Sequence, residues 1–502
     1  MKITENRIKL TTFATYNYQY ANTANMRKQL LSLASFALAI TTLSSCLGES
    51  TSYTYYNDAA ITAFKLGTLK RTLHTLKKTD GTDSTYVGSI DCSGYTFYID
   101  QNAGKIWNAD SLPTGANISK AVCTITTKNS SSAALKSLTS DTLSWYSSSD
   151  SIDFSSDREF RVYNTNGTAY RTYSVQVNVH NEEADSCVWT QLPVNSQITY
   201  FTEMKALSDG SKIYLFGIKE GKLMLTTTPV NDGYVWSDVV TPDIGEVSLG
   251  TDALKSMIMK GGRIYTVNGS DVLASDNGED WTLVALDSGL SQLVAASTAN
   301  LYALSSDSTL MMSSDNGETW TEETLDDDAK LLPVQNIAYS CRALRTNASA
   351  DKVVIIGNRS SEKFPDDTTA VVWSKVDEYS DGARKNAWNY VEFTADNKHK
   401  APRADNWQVV TYDDNIKAIA GNSIKGSTKA LSHIYHSGDD GITWLNDSVM
   451  TLPKDLSSSE TSFAMVADGV NSVWVICGIT GQVWKARINR IAWKKEDKYI
   501  KE

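Results

Sequence analysis

The sequence predicts an all-β protein: an Ig-like β-sandwich followed by a six-bladed β-propeller, with seven blades as the alternative. Alternation predicts the sandwich. Between Ile61 and His180 apolar and polar residues alternate with period two, and Asn-Gly, Asp-Gly and serine-run loops punctuate them. Repetition predicts the propeller. From Trp189 onward an eight-residue pattern ending in Trp recurs, spaced to suit four strands per unit.

Residues 1–25 are polar and precede a second methionine, Met26, which reads as the true start. Met26-Arg27-Lys28 opens a basic segment, and Leu30 to Leu43 follow without a charge. That order describes a secretory signal over residues 26–45. The apolar run is shorter than the roughly 20 residues of a membrane span. Leu43-Ser44-Ser45-Cys46 resembles the bacterial lipobox, which implies cleavage before Cys46 and diacylglyceration of its thiol. An ordinary signal peptide with an incidental cysteine is the other reading. Each buried acyl CH₂ contributes about 0.8 kcal/mol, so several chains hold a soluble body on a membrane. Leu47, rather than Asp, implies by the same resemblance a bacterial outer-membrane location, with a periplasmic or cell-surface orientation left open. Residues 46–58 read as a polar tether.

The sandwich is expected over residues 59–182. Tyr95, Phe97 and Ile99 alternate with polar neighbours, as do Tyr173, Val175, Val177 and Val179. Asn166-Gly167 supplies the positive φ angles of a tight hairpin turn, and Asp80-Gly81 suits another. No Cys-Trp-Cys signature marks an antibody-type domain. Cys92 and Cys123 either pair or serve as small buried apolar groups. Residues 181–185 read as a linker.

The formal charge is −11. Residues 1–45 hold five basic groups and one acidic group, so the remainder carries −15. An acidic balance argues against nucleic acid as a partner. The six cysteines include no C-x-x-C pair, which argues against zinc.

The propeller is expected over residues 185–495. Ser313-Ser314-Asp315-Asn316-Gly317-Glu318-Thr319-Trp320 recurs as Ser437-Gly438-Asp439-Asp440-Gly441-Ile442-Thr443-Trp444. A third copy runs from Ala274 to Trp281 with Asp276 and Gly278 in register, and Asn231, Gly233 and Trp236 keep the spacing of a degraded fourth. These segments are similar to the Asp box (BNR repeat) of sialidase-type propellers. The chemistry expected of them is mechanical. The carboxylate accepts backbone N–H groups of its own turn, the Gly takes a backbone angle other residues resist, and the Trp buries a large ring. In the families that carry the box it lies away from the active face, which gives Asp276, Asp315 and Asp439 no catalytic role. Trp189, Trp236, Trp281, Trp320, Trp388, Trp444 and Trp493 are separated by 47, 45, 39, 68, 56 and 49 residues, hence six units. Trp189 lacks strands before it and suits an outer strand that closes the ring with the last unit.

The resemblance to sialidases stops at the boxes. Trp189-Thr190-Gln191-Leu192-Pro193 stands where their Arg-Ile-Pro element is expected, and nothing in the sequence makes Arg263, Arg342, Arg345, Arg359 and Arg403 converge. His433 and His436 fall on a strand pattern that sends their rings to opposite faces. Asp326-Asp327-Asp328 lacks the Gly and terminal Glu of a calcium loop. No catalytic residue, metal site or cofactor is assigned. The chain resembles Bacteroidota-type lipoproteins of unknown function that join a β-sandwich to an Asp-box propeller. The resemblance implies a membrane-anchored, non-catalytic binding or scaffold protein for glycan or protein ligands. Insertions at 360–367, 378–387 and 398–407 would decorate one face, with Arg403 and Trp407 as the candidate ligand loop. A divergent sialidase-like glycoside hydrolase or lyase is the alternative.

Overall fold

The structure is a computed structural model that describes residues 54–76, 83–380, 382, 385–458 and 461–493. The leader, Cys46 and the Asp80-Gly81 turn lie outside the described residues. Among the described residues regular structure is almost entirely strand; one α-helical turn, Ala253–Ser256, and a few 3₁₀ turns complete it. Among the described residues no helix is long and apolar enough to cross a membrane. The chain forms two compact units, which within the described residues span 54–69, 91–108 and 118–177, and 70–90, 109–117 and 178–493.

In the first unit Ile61–Leu66, Ala121–Thr127 and Ser151–Ile152 make one sheet. A second has six strands in the order Phe97–Asp100, Lys105–Asn108, Tyr170–Gln176, Arg158–Tyr163, Ala133–Lys136 and Leu143–Trp145. Tyr170–Gln176 and Lys105–Asn108 run parallel; the other neighbours are antiparallel. Alternation sets the buried face: Arg158, Phe160 and Val162 point inward between half-exposed neighbours. Phe64 of the small sheet packs on Phe97 and Phe154, and Phe154 stacks on Phe160, so both sheets share an aromatic core. Asn166-Gly167 sits in a hairpin, but the last strand pair is Tyr163 with Tyr170, which makes a six-residue loop instead of a two-residue turn. The Asn166 side chain accepts the Thr168 N–H within it. Cys92 and Cys123 form no disulfide. Both are buried as small apolar groups, and burial pushes the Cys123 thiol up to about 12.

Among the described residues of the second unit, besides two-stranded pairs at 68–91 and 243–248, six sheets of three or four strands follow one another along the chain. Their first strands are Met204–Ser208, Ile258–Lys260, Leu290–Ala296, Gln335–Leu344, Gln408–Tyr412 and Phe463–Ala467. The second to fifth sheets each continue through three more antiparallel strands. The first sheet has three strands plus a bridge from Leu225 to Val240. The last has three consecutive strands, and Cys187–Leu192, from the start of the unit, pairs with Val483–Ile488 as its fourth.

Each first strand lies beside the first strands of the neighbouring sheets, and Phe463–Ala467 lies beside Met204–Ser208. The apolar cores sit between sheets. Trp281 is buried among residues of the first two sheets, and Trp373 and Trp388 lie between the third and fourth. Trp444 lies between the fourth and fifth. Trp474 lies where the last sheet meets the first, with Leu192 of the returning strand and Met204. Trp493 lies beyond the last strand and stacks on His180, so it does not repeat the place of Trp281 or Trp444.

Candidate functional site

The Ser-x-Asp-x-Gly-x-Thr-Trp segments connect the third and fourth strands of their sheets. Because the strands alternate in direction, these turns stand at the edge where the first strands end. In one copy Ser313 Oγ donates to Asp315 Oδ1 at 2.7 Å and accepts Gly317 N–H at 2.8 Å. Asp315 also accepts the Thr319 N–H at 2.9 Å, and Trp320 Nε1 donates to the Gly317 carbonyl at 3.0 Å. Ser437, Asp439, Gly441, Thr443 and Trp444 repeat every one of these bonds. Gly317 and Gly441 have φ of +97° and +93°, which an L side chain resists.

The third copy differs from its sequence register. Asn277, not Asp276, accepts from Ser275 Oγ and from the Asp280 N–H. The reason is length: five residues separate Ser275 from Trp281, whereas six separate Ser313 from Trp320. With one residue fewer the acceptor falls at Asn277, and Asp276 turns outward to Arg263. Trp281 still donates to the Gly278 carbonyl. All three glycines press on the preceding sheet: Gly278 faces Leu225 and Phe216, Gly317 faces Val272, and Gly441 faces Val354 and Val372. A Cβ on Gly441 would stand 2.7 Å from Val372. Gly233 of the degraded copy faces Trp474 and Leu192 in the same way.

The arginines separate. Arg342 grips Asp440, Arg345 meets Asp414, and Arg359 pairs with Asp367. Arg403 is buried to 1 % exposure and donates to the carbonyls of Phe364 and Asp367, which corrects the expectation of a ligand-facing side chain. It ties down the 359–367 insertion. Trp407 is also buried, packed on Tyr435 and Trp444, although it touches the wall of the cavity described next. His433 lies edge-on to Tyr435, while His436 Nδ1 is 3.0 Å from Lys417 Nζ, and burial lowers both imidazole pKa values. Asp326 accepts the Tyr390 N–H, and Asp328 caps a 3₁₀ turn. Among the described residues no group of acidic, His or Cys side chains suits a metal ion.

A cavity of ≈ 1070 Å³ lies between the six first strands and runs along them, reaching Ser208, Thr411 and Ala467 at or near the strand ends. Each strand or its lead-in contributes: Glu203 and Lys205, Lys255, Gln292, Gln335 and Asn336, Asp405, Asn406 and Gln408, and Thr461. Two of them take left-handed backbone, which asparagine tolerates better than other side chains. Asn336 and Asn406 have φ of +51° and +46°, a region few non-glycine residues adopt. Their side chains form a polar chain. Asn336 Nδ2 donates to Asp405 Oδ1 at 3.2 Å, Asn406 Nδ2 donates to the Thr461 carbonyl at 2.9 Å, and Gln408 Nε2 donates to Asn406 Oδ1 at 2.7 Å. Across the cavity, Lys205 Nζ and Gln292 Nε2 share the Lys255 carbonyl at 3.2 and 3.3 Å. Burial alone pulls the Lys205 ammonium down to about 8. Cys341 lies further along the wall, its thiol pushed well above the usual range by burial and by Asp351.

The sequence reading missed these residues. Its only signal was position, since each falls in or just ahead of the opening of a strand that follows an inter-sheet loop. The sequence points to the 398–407 segment, and its cavity residues are Asp405, Asn406 and Trp407, not Arg403.

No curated protein matches the chain. Among solved structures, the N-terminal domain of Nup159 is 13% identical, covering 61% of this chain and 97% of its own, with a TM-score of 0.31. YCF48 from Cyanidioschyzon merolae is 14% identical over 60% and 98%, with a TM-score of 0.29. A Trichoderma reesei carbohydrate-active enzyme of family AA12 is 10% identical over 61% and 96%, with a TM-score of 0.37. The model of the DUF6242 N-terminal domain, a domain of unknown function, matches residues 64–177. The model of the DUF6242 beta propeller domain matches residues 183–496, more than half of the sequence, and the chain therefore belongs to that family.

Proposed function

We propose that the protein is a membrane-anchored, non-catalytic binding protein that takes a glycan or protein ligand in the cavity between the first strands. One observation carries the reading: six strands line a single cavity with both polar and apolar side chains, and Asn336 and Asn406 stand there in left-handed backbone. The volume is at the upper end of ligand pockets, which run to about 1,000 Å³. We read the six sheets as six blades, with Cys187–Leu192 closing the ring, and the Ser-x-Asp turns as Asp boxes acting as mechanical clasps. The first unit reads as an Ig-like sandwich on its two sheets and shared aromatic core.

The glycoside hydrolase alternative is not favoured, because the arginines are each engaged with separate partners. The anchor would be the acylated Cys46, with the protein on the bacterial outer membrane. Intact mass should show acyl chains on Cys46, and Cys46→Ala should release the protein from membranes; an unlipidated thiol overturns the anchor. For the cavity, glycan and peptide panels are presented to the intact protein and to Gln408→Trp, which fills the mouth. A ligand captured by the first and lost by the second is expected. Capture untouched by Gln408→Trp, or glycoside turnover abolished by Glu203→Gln and Asp405→Asn, overturns the reading.

A further inference from the structure

The cavity has two unlike walls. On one, Asn336 holds Asp405, and amides of Asn406 and Gln408 continue the chain. On the other stands an ammonium without a counter-charge. Lys205 gives one hydrogen bond to the Lys255 carbonyl and pairs with no carboxylate among the described residues. An ammonium has three protons to donate, so two are left for the cavity. Gln292, which shares that carbonyl, has a second amide proton and its own carbonyl oxygen beside it. The other charged groups on the wall are Glu203 and Lys255, both exposed, and Asp405. Tyr339 and Cys341 are the remaining titratable groups, and burial holds both in their neutral forms.

We propose that this cavity binds the carboxylate of a uronate sugar, with Lys205 as its charged contact and the amides opposite as partners for ring hydroxyls. The inference rests on the cavity being the binding site. A half-buried cation gains most from an anion that shares its partly desolvated surroundings, because charge-assisted hydrogen bonds are about twice as strong as neutral ones. The rest of the lining is mixed: Met204, Leu254, Met259 and Ile337 offer apolar surface to the C–H faces of a sugar ring, and the amides suit its hydroxyls. Gln292, Gln335, Asn336, Asn406 and Gln408 each offer a donor and an acceptor, as a hydroxyl does, and add no charge. The volume admits a short oligomer.

Calorimetry on the intact mature protein tests this with galacturonate and glucuronate oligomers and with the same oligomers after their carboxyls are reduced to alcohols. The uronates should bind, and the reduced forms should bind about tenfold more weakly or worse. Lys205→Met should erase that difference with an unchanged melting midpoint, and Lys205→Arg should keep it. Lys205 is protonated below about 8, so uronate affinity should fall between pH 7 and 9.5, while the reduced forms stay level. Equal affinity for charged and reduced oligomers, or full uronate binding by Lys205→Met, overturns the proposal. If Gln408→Trp still abolishes oligomer binding in that case, the cavity reading stands without Lys205 as the charged contact. A peptide with a free terminal carboxylate that binds in place of every uronate overturns the sugar. Failure of any ligand to respond to Gln408→Trp overturns both.

Discussion

Asp315 shows how one carboxylate closes a turn. Its oxygens accept from the Thr319 hydroxyl and N–H and from Ser313, and these bonds, the Thr319 hydroxyl first, lower its pKa to about 2. A carboxylate depressed in the fold contributes stability that is complete above its unfolded pKa, about 3.9, and is lost as pH falls through the folded value. Asn277 does the same job without a charge in the shorter copy. Asp315→Asn should therefore fold, and its stability relative to the natural protein should rise as pH drops from about 4 to 2, read by urea unfolding at each pH. A constant difference across that window would mean the Asp315 bonds are not made. Asp315→Ala should lower stability at neutral pH and leave ligand capture intact. At this scale the sequence was legible where a residue acts on its own turn. It misled at Asp276, because one missing residue between serine and tryptophan moves the acceptor by one place, which a pattern anchored on the glycine does not register. It misled at Arg403 because an arginine in a loop reads as exposed, whereas the carbonyls of the 359–367 insertion fold over it.

Each Ser-x-Asp turn fastens its own sheet to the one before. Trp444 is 3 % exposed among side chains of the fourth and fifth sheets, and Gly441 lets the turn approach Val372 and Val354. Trp444→Ala should cost about 3–5 kcal/mol by opening a cavity between two sheets. Gly441→Ala should also destabilise, through the positive φ and the close Val372 contact. Thermal or urea unfolding measures both; a loss under about 1 kcal/mol for Trp444→Ala would show that the clasp does not join the sheets. Strand patterns and boxes were legible because period two and a fixed eight-residue spacing are local. The cavity was not. Its residues come singly from strands tens of residues apart, and only the adjacency of the first strands brings Lys205, Gln292 and Asn406 to one space.

At the scale of the whole second unit, every sheet buries an apolar face against the next, and the sequence of contacts returns to its start through the strand Cys187–Leu192. The cavity exists only if that return is made, since its wall needs both Met204–Ser208 and Phe463–Ala467. Val188 and Arg487 face each other across the closing pair, and Val188 is 68 % exposed. Cysteines at both, in a Cys187→Ala background, test closure directly. The account predicts a disulfide within one chain, formed without denaturant, that raises stability by up to about 5 kcal/mol. Thiols that stay reduced under oxidation, or bonds that form only between two chains, would contradict it.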